Sequence, residues 1–223
     1  MSSGIRHARW DAIHKDTVTD VISRRLFTGQ RMMLAQVYLE NGQGDLQYTI
    51  VNARVVGRQN VNGLILTFVG YGGLSRAPTL LPTQQLFLIG GSFSLPGYDF
   101  DQFGGDQALL LTGSAGFILP FLRQPIPVSK KLALPALNPN ITLLAYVGWT
   151  GASDATAQAS LDRLGTRVNS DNQTVPFSVP TNGAKGSVQI KLGLFGNFLG
   201  FGLARTLEAD GNWAFIFTIS QYL

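Results

Sequence analysis

The chain has 223 residues with a formal charge of +4, and only 13% of its residues are charged. Its 17 Lys and Arg form no run interleaved with aromatics, which argues against nucleic-acid binding, and the absence of cysteine excludes disulfides and thiolate metal sites. Hydrophobic residues reach 45%, yet they come in short runs, with no uninterrupted apolar window of about 18 residues. That combination suits a transmembrane β-barrel, whose spans alternate in polarity, and composition alone allows a soluble all-β barrel or sandwich equally.

Residues 3–13 and 17–28 read as two short strands around a His14-Lys15-Asp16 turn. Val18, Ile22 and Leu26 also fit helical spacing, so a helix over 17–27 competes. Residues 30–40 form a strand by virtue of the hairpin signal Asn41-Gly42-Gln43-Gly44 that follows. Leu46–Gly57 and Leu64–Tyr71 make a clearer hairpin about Gln59–Gly63, with Asn52 and Arg54 on the face opposite Val51, Ala53 and Val55. A polar lumen with a lipid-facing stripe explains that alternation, as does a soluble sheet with one wet face.

Residues 74–83, with Pro78 and Pro82, lead into the stretch around which the chain is organised, Gln84 to Pro120. Double glycines (Gly90-Gly91, Gly104-Gly105) and a Pro96-Gly97-Tyr98 turn mark a long structured loop, delimited as 74–106, before a strand over Gln107–Leu119. Arg123–Pro139 is proline-rich and reads as a connector, and Ile141–Trp149 as a strand. The low-hydropathy segment 152–182, with one helical turn at Ala157–Leu164, is expected to be a long exposed loop.

The last forty residues alternate most cleanly. Val188, Ile190, Leu192 and Leu194 interleave with Ser187, Gln189, Lys191 and Gly193; Leu199, Phe201 and Leu203 interleave with Gly200, Gly202 and Ala204. After a turn at Glu208–Asn212, Trp213, Phe215, Phe217 and Ile219 share one face of a closing strand that ends at Leu223. The period of two predicts one apolar outer face and one small or polar inner face, with Trp213 and Tyr222 placed for two interfacial girdles.

The loop resembles the signature of the bacterial surface antigen superfamily of outer-membrane barrels. The residues that carry the likeness are Phe87–Gly91, Ser94–Tyr98, Asp99–Phe103, Gly105-Asp106 and Ala108–Pro120, together with Gly202–Leu207 near the end. The resemblance implies an all-β fold: one antiparallel transmembrane β-barrel domain over residues 1–223, of about 10–12 strands. Its signature residues Gly90, Gly91, Pro96, Gly97, Tyr98, Asp99, Phe100, Gly105 and Asp106 would lie on a loop folding toward the lumen. It implies a bacterial outer-membrane location, a lipid bilayer as surroundings, and a role in protein insertion or translocation. The closing strand (Trp213, Phe215, Phe217, Ile219, Leu223) is then the expected contact for barrel-assembly machinery. No periplasmic domain is read ahead of the barrel and no signal peptide at Met1-Ser2-Ser3-Gly4, so the exported form is expected to have lost a leader.

The chain departs from the family where the family carries charge. Pro96 stands at the loop arginine, Gly148 at the acid of the inner wall, and Gly116 and Ile118 at a Glu-x-Arg pair. Both partners of the buried pair are lost together, which leaves no orphaned charge; the loop is expected to be held by its backbone and by Tyr98, Phe100 and Phe103. A passive pore or structural barrel is the alternative function.

No enzyme is expected. His7 and His14 are the only histidines, and no strained nucleophile motif accompanies them or Asp11 and Asp16. Asp99, Asp101 and Asp106 lack the glycine and distal glutamate of a calcium loop and read as solvated acids, and Gly193–Gly202 lacks the Lys-Ser/Thr of a phosphate loop. Neither a metal nor a cofactor is assigned.

Overall fold

The computed structural model describes residues 3–9, 16–28, 31–43, 47–120, 124, 126–129, 132–134, 136–169 and 172–219; for 3–9, 16–28, 126–129 and 132–134 it describes backbone only. The strands are β1 (Ser3–Arg9), β2 (Asp16–Thr28), β3 (Arg31–Gln43), β4 (Tyr48–Val61), β5 (Leu64–Arg76), β6 (Phe87–Ile89), β7 (Phe103–Gly105) and β8 (Gln107–Ile118). After them come β9 (Ile126–Ser129), β10 (Leu132–Leu134), β11 (Asn140–Gly151), helix α1 (Ala155–Asp162), β12 (Thr166–Val168), β13 (Thr174–Pro176), β14 (Lys185–Leu194), β15 (Leu199–Thr206) and β16 (Trp213–Ile219).

Ten of these strands build one sheet in the order β1-β2-β3-β4-β5-β8-β11-β14-β15-β16, and every neighbouring pair is antiparallel. The sheet is therefore a meander whose sequence neighbours pair in space, interrupted only by insertions after β5, β8 and β11. The helical alternative over 17–27 gives way to β2, in unbroken register with β3 from Asp16↔Gln43 to Thr28↔Arg31. Its Thr17-Val18-Thr19 and Val21-Ile22 are β-branched, which favours an extended chain wherever a neighbouring strand is available.

The β4–β5 hairpin is tighter than its sequence suggests. β4 runs on to Val61, and the turn is Asn62-Gly63, both at positive φ (51° and 87°), with the Gly63 N–H donated to Asn60 Oδ1 at 3.1 Å. This is the Asn-Gly turn whose twist matches that of the flanking strands.

Side chains alternate faces, and the two faces differ in kind. One is covered by the segment between β5 and β8. The other is bare and apolar: Leu66, Ala115, Leu143, Ile190, Leu203 and Phe215 are direct neighbours across six consecutive strands. Leu143 is 57% exposed, Ile190 48%, Leu203 48% and Phe215 69%. On the covered face of the last three strands, Ser187, Gln189, Gly193, Gly200, Gly202, Ala204 and Ile216 are buried. The polarity assignment read from alternation holds in β14, β15 and β16, with Trp213 exposed on the apolar side.

Closure is a different matter. Among the described residues, β1 pairs with β2 alone and β16 with β15 alone, so the sheet is open at both edges rather than a closed barrel. Alternation fixes which face is apolar but says nothing about which edge meets which. Tyr222, Leu223, His14 and Asp11 lie outside the described residues. No described helix is long and apolar enough to cross a membrane, a statement that does not bear on strands.

Candidate functional site: a docked loop on the covered face

The signature loop begins after β5, whose pairing with β4 runs to Arg76, rather than at residue 74. Its base is a small hairpin, β6 against β7, with Phe87↔Gly105, Leu88↔Gly104 and Ile89↔Phe103 in register. Between them residues 90–102 form a compact tip. Gly90 sits at φ 136°, and a β-carbon there would lie 2.3 Å from the Asp99 carbonyl oxygen, so the tip closes only with glycine at that position. The Ser94 hydroxyl accepts from the Gly90 N–H at 2.7 Å and donates to the Gly90 carbonyl at 2.8 Å, holding the turn through Gly91 shut.

An apolar cluster seats this tip on the sheet. Ile89, Leu95, Tyr98 and Phe103 are buried with Tyr146 of β11, and Leu110 and Leu144 pack beside them. Leu95 is fully buried and Pro96 nearly so. The Tyr98 and Phe103 rings meet edge to face at 5.2 Å, and the Tyr98 hydroxyl donates to the Gly186 carbonyl at 3.3 Å. Burial, then the nearby Glu208 charge, pushes the Tyr98 pKa up to about 12, against a lowering by that hydrogen bond. Gly97 rests on Thr206 of β15, so the loop reaches from β5 to β15 across the covered face.

Gly148 makes room for the loop on the sheet. A β-carbon there would lie 2.8 Å from both Ile89 Cδ1 and Leu95 Cδ1. Leu95 fills that space, and Pro96 is buried beside it in sequence. The expectation for Tyr98 and Phe103 is met, but Phe100 is 68% exposed and stands outside the cluster, with its ring beside Gly91 of the tip.

The base of the loop carries a charged lock that the sequence reading missed. Asp106 is 3% exposed, not a solvated acid. Its Oδ1 accepts from the Ser153 N–H at 2.9 Å, and its Oδ2 accepts from Ser153 Oγ and pairs with Arg76. Arg76 ends β5, Ser153 follows β11, and Asp106 joins β7 to β8, so one carboxylate ties three segments together. Gly105 backs onto Gly151 so closely that a β-carbon would lie 2.1 Å from the Gly151 carbonyl oxygen.

Most described residues of segment 152–182 are exposed, but the segment carries a helix and a small hairpin, and several of its residues attach to the loop. Asp154 caps α1 by accepting from the Ala157 N–H at 2.8 Å. The Ser160 hydroxyl accepts from the Leu81 N–H at 3.0 Å, and Leu161 is buried with Leu81 and Leu86. The Gly104 N–H donates to the Val179 carbonyl at 2.9 Å, and the Val179 N–H to that of Gln102 at 3.1 Å. Arg167 reaches the tip, 3.2 Å from Asp99 Oδ2, and donates to the Phe100 carbonyl at 3.0 Å. Partial burial raises the Asp101 pKa, opposed by the Arg167 charge.

An Arg167→Gln substitution should leave the fold intact and loosen only the tip. The Asp99 partner is 40% exposed, so the pair contributes about 0.5–1 kcal/mol. Faster proteolytic cleavage near Phe100, with the unfolding midpoint little changed, is the expected result; a large drop in midpoint would mean that Arg167 supports more than the tip.

Among the described residues no group of His, Asp or Glu is arranged to hold a metal ion. No protein-family model matches the chain, and no curated protein matches it either.

Proposed function

We propose that the chain is the wall of a transmembrane β-barrel of the surface antigen type, non-enzymatic, with the signature loop folded into its lumen. One observation carries this reading: the bare face presents a contiguous, exposed apolar surface over at least six strands, and large exposed apolar patches mark sites that meet lipid or a partner. Water is a poor solvent for such a face, and lipid acyl chains are a good one. Strands β3, β4, β5, β8 and β11 are 12–14 residues long, enough for a tilted strand to cross the hydrocarbon layer.

In this reading β1 and β16 meet in the bilayer and close the barrel. An open sheet in lipid would leave two rows of unpaired N–H and C=O groups in hydrocarbon. The resemblance of the loop supports a role in protein insertion or translocation at the bacterial outer membrane. The apolar packing at Pro96 and Gly148 favours a second reading, a structural barrel that keeps the loop but not the charged pair.

The test is to refold the chain into detergent and lipid vesicles, follow heat-modifiable gel mobility, and record single-channel currents. A folded, inserted and electrically silent protein is the expected result. Steady conductance would replace the plugged lumen with an open pore. Failure to enter vesicles would overturn the membrane reading and leave a soluble β-sheet binding module.

A further inference from the structure

Charge is sorted along the strands. Call the end of the sheet that bears the loop the near end; there β3 and β5 finish and β8 and β14 begin. Every described acidic residue belongs to it by position. Asp16, Asp20 and Glu40 lie in the near halves of β2 and β3; Asp99, Asp101, Asp106, Asp154, Asp162, Glu208 and Asp210 lie in the segments that leave the sheet there.

Among the described residues the far end has cations without acids. Arg31 opens β3, Arg58 stands near the close of β4, and Lys191 lies in the far half of β14.

Two of these cations, Arg58 and Lys191, lie on the covered face, and Arg58 lines a cavity there. It has a volume of about 560 Å³, and Arg58, Thr67, Ser114, Asn140, Thr142 and Asn197 are among its lining residues. Arg58, Thr67 and Ser114 are direct neighbours across β4, β5 and β8. Thr142 pairs with Lys191 of β14. Lys191 is accommodated by a missing side chain: a β-carbon at Gly200 would lie 2.3 Å from Lys191 Cε and 2.4 Å from Thr218 Oγ1. Thr218 Oγ1 is buried there without a hydrogen-bond partner among the described residues. The described acid on this face of the strands, Glu40, sits at the near end and accepts from the Tyr38 and Tyr48 hydroxyls at 2.6 and 2.7 Å. It is committed and distant in register.

We infer that the far end of the covered face binds a small soluble anion of the phosphate or carboxylate class. Arg58 supplies charge, and the Thr67, Ser114, Asn140 and Thr142 side chains supply hydrogen bonds. A wall lined by hydroxyls and amides beside one cation offers an oxyanion the donors it needs. A guanidinium beside hydroxyl donors selects oxyanions over halide, because it can give two parallel hydrogen bonds to one oxyanion. The inference rests on the barrel reading only for the enclosure of this face; the cavity and its charges exist in the sheet as described.

The test uses the full chain folded in detergent, titrated with inorganic phosphate at constant ionic strength made up with chloride, with the thermal unfolding midpoint as readout. The expected result is a saturable rise in midpoint. Affinity should fall at least tenfold in Arg58→Gln, whose exposed side chain lets the variant fold. Arg205→Gln should bind as the unsubstituted chain does, since Arg205 stacks on Trp213 on the bare face. No saturable rise, or an equal rise in Arg58→Gln, would overturn the inference. Vesicle flotation of the same preparation reports membrane insertion separately, so the two readings fail independently.

Discussion

A Gly148→Asp chain should lose its docked loop. The new side chain needs the space that Ile89 and Leu95 occupy at 2.8 Å from its β-carbon, and its carboxylate would enter the Ile89, Leu95, Tyr98, Phe103 cluster with no cation beside it. A lone buried charge is unfavourable by about 3–5 kcal/mol, and overpacking adds about 1–3 kcal/mol. The checks are limited proteolysis across residues 84–106 and the urea midpoint of the folded protein in micelles. Pro96→Arg alone should destabilise for the matching reason, a buried guanidinium without an acid. Combined, the two substitutions recreate the charged pair that the resemblance implies. A coupling of about 1 kcal/mol or more in the double-mutant cycle is expected, while additive losses would refute the alignment of Pro96 and Gly148 with that pair.

Asp106→Asn should be the most damaging isosteric change at the base of the loop. The amide can accept only on one side, so either the Ser153 N–H at 2.9 Å or the Arg76 and Ser153 hydroxyl donors lose their acceptor inside a site that is 3% exposed. A loss of about 3 kcal/mol is expected. Arg76→Gln should cost less, about 1 kcal/mol, because its side chain is 48% exposed and water replaces part of what it gives. Unfolding midpoints of the two variants check the order; an equal or reversed order would show that the Asp106 contacts with Ser153 do not hold the base.

The strand faces were legible because a period of two is local. Val188 to Leu194 and Trp213 to Ile219 announce their apolar side by alternation alone, and the sheet has only to honour it. The loop was legible through its glycines, since the strained position at Gly90 and the contact at Gly105 exclude other residues. What stayed hidden depends on partners far along the chain. Asp106 looked solvated because nothing near it in sequence shows that Arg76 and Ser153 converge on it. The attachment of segment 152–182 to the loop was hidden because it runs largely through backbone groups of Gly104 and Val179, one serine hydroxyl, Arg167 and the single buried Leu161, which together leave little hydropathy signal. Phe100 misled in the opposite sense, an aromatic that is mostly exposed and lies beside Gly91 rather than in the buried cluster. Edge pairing is equally invisible to alternation, which is why barrel closure is a proposal and the two-faced sheet an observation.

The seat of the loop has a kinetic corollary. Strands β1 to β5 pair with their sequence neighbours, so that half of the sheet can grow hairpin by hairpin with small loop-closure entropy. The loop between β5 and β8 cannot follow suit. Its floor is assembled from Tyr146 and Gly148 of β11, Gly186 of β14 and Thr206 of β15, all synthesised after it. Until those strands arrive, Leu95, Tyr98 and Phe103 have nowhere to bury their side chains. Docking of the loop thus waits for β11, β14 and β15, and in the interval before it the loop's apolar side chains are open to capture by a chaperone or by another copy of the chain.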